Sequence, residues 1–182
     1  MPSLRRSLGL LLVLAAVCAA TAAARADATA DLTKAAITNS KLHSYHIEMQ
    51  QPGVTSRGDF ESPGRMHLVM GSLGETIVIG DTMYMKMNGA WKKYPASGMA
   101  SLGVTDIAKE MQARRGEFAV ADLGNRTVDG VSLHAYSVID KKRSSTDLVY
   151  VDSGGRIARM EVGKSIVRFS AFDEPVDIKA PM

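Results

Sequence analysis

Short apolar and polar alternations, each closed by a dipeptide that reverses the chain, limit most strongly what this sequence can fold into. From Ser44 onward Tyr45, Ile47 and Met49 share one face of a strand, while His46, Glu48 and Gln50 share the other. Pro52-Gly53 ends that run, and two further extended stretches meet at Pro63-Gly64, the later one putting Met66, Leu68 and Met70 on one side. Residues 76–79 turn at Gly80-Asp81, residues 82–87 turn at Asn88-Gly89, and residues 90–94 stop at Pro95. Asn-Gly is the strongest short hairpin signal, because both residues tolerate positive φ. Five more strands are read at 118–123, 131–139, 147–151, 157–162 and 166–172, separated by Gly124-Asn125, 141–145, 153–155 and Gly163-Lys164. Such even spacing predicts one large antiparallel sheet. Two helices are expected to cover one of its faces or an open end. The first runs to about residue 43 on Leu32, Ala35, Ala36, Asn39 and Leu42, and the second spans 104–115 with Ile107, Ala108 and Met111 on one side.

Ahead of the sheet, Arg5 and Arg6 precede an apolar run from Leu8 to Val17 and a small-residue stretch ending Ala24-Arg25-Ala26. This is the pattern of a secretory signal peptide, residues 1–26, leaving 27–182 as one domain with a periplasmic destination. No later stretch reaches the roughly 18 apolar residues of a membrane-spanning helix. The leader carries Arg5, Arg6 and Arg25, three of the 22 basic residues, whereas all 19 acidic ones lie at position 27 or beyond, so its removal takes the formal charge from +3 to zero. The charge balance therefore offers nothing to nucleic acid. Cys18, the single cysteine, lies inside the leader, and Val17 stands where a lipid-attachment motif has a small residue, so anchoring at Cys18 is not expected.

Few motifs carry chemistry. Val151-Asp152-Ser153-Gly154-Gly155 echoes the surroundings of a serine-protease nucleophile, but it falls where a hairpin must turn and has no His and Asp partners in recognisable context. There is no Gly-x-Ser-x-Gly elbow, no His-Glu-x-x-His, no phosphate loop and no cysteine pair. No enzymatic activity and no cofactor are predicted. Met83, Met85 and Met87 allow three readings. A strand sets them on one face about 7 Å apart, where soft thioethers suit Cu(I), with His43, His46 and His67 as further ligands. Alternatively they fill a core, or line a surface that accepts variable apolar ligands, since methionine is unbranched and adaptable. Ten methionines after the leader, against four phenylalanines and the single Trp91, describe a soft interior. Trp91 is read as turning its ring inward at a strand start, with ligand stacking as the alternative.

The order of elements, "SYHIEMQ", "ETIVIGDTMYMKMNGAWKKYP" and the closing "VRFSAFDEPVDIKAP" resemble the periplasmic lipoprotein-localisation superfamily, LolA/LolB-like, with its LppX/LprG-like lipid-binding relatives, over about residues 29–181. The resemblance implies an α+β fold, an unclosed antiparallel β-barrel (a large curved sheet) with helices packed at its open side, whose concave face holds acyl chains. It implies a non-catalytic carrier or binding protein for an acylated lipid or lipoprotein, working as a monomer. Tyr45, Ile47, Met49, Met66, Leu68, Met70, Met83, Met85, Met87 and Trp91 are the expected lining of the cavity. Two other functions stand beside it: an envelope sensor using the same concavity for a protein partner, and a Cu(I) protein through Met83, Met85 and Met87.

Overall fold

The computed structural model describes residues 28–96, 113, 114 and 116–181. They open in helix α1, 28–40, on which Ala28, Leu32, Ala35, Ala36 and Asn39 recur at the spacing of a single helical face and are all buried. Alanines on that face let the helix backbone approach a sheet closely, and Leu32, 1% exposed, anchors it. Burying one such leucine stabilises by about 2 kcal/mol.

Eleven strands follow: β1 (Ser44–Gln51), β2 (Val54–Glu61), β3 (Arg65–Val69), β4 (Glu75–Ile79), β5 (Thr82–Met87), β6 (Ala90–Pro95), β7 (Phe118–Val128), β8 (Val131–Asp140), β9 (Ser145–Val151), β10 (Ile157–Val162) and β11 (Ser165–Ser170). A single 3₁₀ turn, Gly71–Leu73, sits between β3 and β4. The strands form one antiparallel sheet in the order β6-β5-β4-β3-β2-β1-β11-β10-β9-β8-β7. Two meanders, β1 to β6 and β7 to β11, are thus joined through the β1–β11 pair, where Ile47 faces Phe169 and Met49 faces Val167. Consecutive strands β6 and β7 end on opposite edges, so the sheet is curved but not closed, an open barrel with a helix at its side.

The face covered by α1, here the inner face, holds the main core: Leu32, Ala36, Tyr45, Val120, Tyr136, Val149, Ile157 and Phe169, with Ile47, Phe60, Val138 and Met160 packed around them. Asn39 fixes the helix to the sheet. Its Nδ2 donates to the Ile157 carbonyl at 3.0 Å and its Oδ1 accepts from the Ile157 N–H at 2.7 Å. The tail after β11 closes one end of the barrel: the Asp173 N–H donates to the Ser44 carbonyl at 2.9 Å, Arg65 donates to the Ile178 carbonyl at 3.3 Å, and Ile178 is buried.

One turn is misplaced by the sequence reading. Gly124-Asn125 does not end a strand; β7 continues through it to Val128, with a bulge between Asp122 and Gly124. Gly124 takes φ 70° and donates its N–H to Asp122 Oδ1 at 2.7 Å, a local kink without chain reversal. The reversal comes at Asp129-Gly130, with φ of 52° and 81°. The expected helix over 104–115 lies outside the described residues except at 113 and 114, and the expected leader lies outside them entirely. No helix among the described residues is long and apolar enough to cross a membrane.

Candidate functional site

Register decides which side chains meet. Tyr45 pairs with Phe60 and Phe60 with Met66; Ile47 pairs with Gly58 and Gly58 with Leu68; Met49 pairs with Ser56. These positions share the inner face, and Tyr45, Ile47, Met49, Phe60, Met66 and Leu68 ring a cavity of about 130 Å³. Tyr45 stacks on Phe60 at 4.8 Å and meets Phe169 edge-on at 5.7 Å, a rigid aromatic wall on one side of an otherwise flexible lining. Gly58 lies between Ile47 and Leu68 in this register. A Cβ at Gly58 would come within 1.9 Å of the His67 carbonyl oxygen, so the close approach of β2 to β3 depends on glycine there. A glycine inside a strand is the signal that would have found it.

Across β4 the same face continues. Val78 pairs with Met66 and Met83, and Thr76 with Leu68 and Met85, both buried. Met83 and Met85 are half-buried and Met87 is 45% exposed, an apolar track running from the cavity to the turn between β5 and β6. Met70, half-buried at the start of the 3₁₀ turn, is not part of the ring. Trp91 departs further from the expected lining. It pairs with Lys86, not with Met85 or Met87, and therefore lies on the outer face, where the Lys86 ammonium sits 5.6 Å from its ring. A two-residue turn at Asn88-Gly89 pairs Met87 with Ala90, and that parity sends Trp91 outward.

His46 and His67, offered as further copper ligands, do not join the thioethers, on the same grounds. His46 pairs with Asp59, and Asp59 with His67, so both imidazoles face outward, opposite the thioethers. His46 Nδ1 lies 2.8 Å from Asp59, His67 Nε2 lies 2.9 Å from Glu75, and His43 stands beside Asp173 at 3.7 Å. Among the described residues no three His, Cys, Asp or Glu side chains converge as a metal site would require.

A second cavity of about 180 Å³, not anticipated from the sequence, opens between α1 and the other meander. Leu32, Phe118, Val138, Val149, Ile157 and Met160 give it an apolar interior, and Arg114, Asp140, Arg143 and Asp147 a polar mouth. Asp140 accepts from Arg114 at 3.0 Å and from the backbone N–H groups of Lys142 and Arg143. The Arg143 N–H, then Arg114, hold its carboxyl below the ordinary carboxylate range. The alternation of Val138, Val149 and Met160 is visible in the sequence; which face α1 covers is not.

On the outer face a cavity of about 490 Å³ lies where the tip of the β7–β8 hairpin folds back over the sheet. Asp129 at that tip accepts from Arg159 at 2.8 Å and Arg168 at 3.1 Å, and Arg168 continues to Glu48, which Arg57 also holds at 2.7 Å. Asp152 spends its carboxylate on the turn around it, accepting from the N–H groups of Gly154 and Arg156, so Asp152-Ser153-Gly154-Gly155 is a structural turn.

No family model matches the sequence, and no curated protein matches it. Solved structures do match the fold. Lipoprotein LppX of Mycobacterium tuberculosis is 16% identical over 84% of this chain and 98% of its own, with a TM-score of 0.63. LprF from Mycobacterium bovis is 17% identical over 85% and 97%, with a TM-score of 0.58. MucB, which is also solved in complex with MucA, is 16% identical over 86% of this chain but 63% of its own, with a TM-score of 0.53. The chain has the open-barrel fold of these proteins.

Proposed function

We propose that the protein is a non-catalytic periplasmic carrier or binding protein for an acylated ligand, lipid or lipoprotein, whose chain lies against the inner face of the sheet. The observation that carries this reading is the ring of Tyr45, Ile47, Met49, Phe60, Met66 and Leu68 around an apolar cavity, continued by Met83 and Met85. Apolar burial alone supplies the affinity, at about 0.8 kcal/mol per buried CH₂. A methionine lining suits chains of differing length and branching, because its side chains repack at low cost. The fold shared with lipoprotein LppX and with LprF supports the architecture for such a role.

Native mass spectrometry of the processed protein, isolated without detergent, tests the reading. The expected result is extra mass that solvent extraction removes and that fragments as acylated lipid. After extraction the protein takes up a fluorescent fatty acid, and Leu68→Phe, which fills the ring, weakens uptake about tenfold, equivalent to about 1.4 kcal/mol. Bare polypeptide mass together with no uptake sinks the carrier reading and turns attention to a protein occupant, the kind of partner MucB has in MucA.

A further inference from the structure

The end of the β5–β6 hairpin carries a combination that the acyl cavity does not use. Between Thr82 and Ala96 the chain has three lysines, Lys86, Lys92 and Lys93, and no acidic residue. Lys86 is held by Glu75 at 3.2 Å, whereas Lys92 and Lys93 are exposed and make no ion pair among the described residues. At the turn itself, Met87 and Ala90 form the last cross-strand pair and both are exposed; Lys86 and Trp91 form the next. Asn88 and Gly89, at φ 52° and 81°, make the tight turn that brings these pairs to a point.

We propose that this hairpin end is a docking surface for an anionic lipid bilayer. The layering fits an interface. Met87 and Trp91 come first, and Lys92 and Lys93 lie two and three residues behind Ala90, about 7 to 10 Å back along the strand. Interfacial elements seat apolar groups about 5 to 10 Å into the boundary, with tryptophan at headgroup level and lysines among the anionic headgroups. Edge lysines also discourage strand-to-strand pairing, but that role needs neither an exposed methionine nor a tryptophan beside the turn. The Met83–Met85–Met87 track joins this end to the acyl cavity, so docking would bring the cavity to the membrane that supplies or receives its ligand. That purpose rests on the carrier reading; the docking itself does not.

Trp91 is the chain's single tryptophan and reports its own environment. The processed protein is mixed with vesicles of phosphatidylcholine alone and of phosphatidylcholine with phosphatidylglycerol, at low and high salt. The expected result is co-sedimentation with the anionic vesicles, a blue shift of Trp91 emission, and loss of both on adding salt. Lys92→Gln with Lys93→Gln should lower the partition coefficient about thirtyfold, at about 1 kcal/mol per lysine, with solution uptake of a fluorescent fatty acid unchanged. No shift with anionic vesicles, equal partitioning to neutral ones, or a double variant that partitions like the parent overturns the proposal. So does retention on a soluble polyanion without vesicle binding, which would indicate an acidic macromolecule. Docking lost with uptake intact removes the docking surface alone; uptake absent with docking intact removes the carrier reading alone.

Discussion

A side chain at Gly58 has nowhere to go, because its first carbon would overlap the backbone of β3. Gly58→Ala must therefore push β2 and β3 apart between Ile47 and Leu68, with an expected cost of about 3 kcal/mol, the upper end of overpacking penalties. Urea unfolding of the variant measures it; a midpoint equal to that of the parent would mean that the strands yield freely there. Asn39 makes a converse case, in which a polar side chain is buried to good effect. Its amide satisfies both backbone groups of Ile157, and Asn39→Ala leaves a buried donor and a buried acceptor unpaired. Each costs about 1 to 3 kcal/mol, so a loss of about 3 kcal/mol is expected, read as a lower midpoint at unchanged denaturant slope. Asn39→Asp sets a carboxylate oxygen against the Ile157 carbonyl in a buried site, and should cost at least as much as Asn39→Ala at neutral pH.

At the scale of elements, the tip of the long β7–β8 hairpin is latched over the sheet by Asp129, lying between Arg159 and Arg168, beside the apolar contacts of Val128 and Leu133. The Asp129 side chain is 61% exposed, so its ion pairs are screened, and Asp129→Asn should cost about 1 kcal/mol or less globally. Its local effect should be larger: amide exchange at 128–131 should quicken while α1 and β1 stay protected, and uniform quickening would argue against a local latch. This hairpin also marks where legibility in the sequence ran out. The strands of the first meander could be read because Pro52-Gly53, Pro63-Gly64, Gly80-Asp81 and Asn88-Gly89 each mark a reversal without a nearby competitor, and alternation then fixed the shared face of Tyr45, Met66 and Met83. In β7 two glycines competed, and only backbone geometry separates a bulge at Gly124 from a turn at Gly130. The outward side of Trp91 was legible from turn parity. The second cavity was not, because it depends on where α1 packs, a tertiary choice that no local pattern encodes.

At the scale of the whole molecule, polar seams tie neighbouring strands together, those of Glu48 and Glu75 on the outer face and that of Asp122 beside Tyr136 on the inner, and their carboxylates titrate low. Arg57 first, then Arg168, hold Glu48 below the ordinary 4.5 of a glutamate, joining β1 to β2 and β11. His67 and then Lys86 do the same for Glu75 between β3, β4 and β5. The Gly124 N–H and His134 lower Asp122 between β7 and β8. A carboxyl that is harder to protonate when folded than when unfolded contributes stability in its ionised form. That contribution is fully present above the unfolded value and disappears as pH falls through the lowered folded value. Because all three shifts have this sign, stability should hold steady from neutral pH down to about pH 5. Below the ordinary glutamate value of 4.5 it should decline, and the decline should continue past the point where free carboxylates have finished titrating. Urea midpoints measured across that range test the prediction, and Glu75→Gln should flatten part of the slope while lowering the neutral-pH midpoint. A midpoint that stays level well below that value would show the seams contributing nothing, leaving the fold to its apolar inner face. Such a result would leave the cavity intact in acid, because none of its ring residues, Tyr45, Ile47, Met49, Phe60, Met66 and Leu68, carries a group that titrates there.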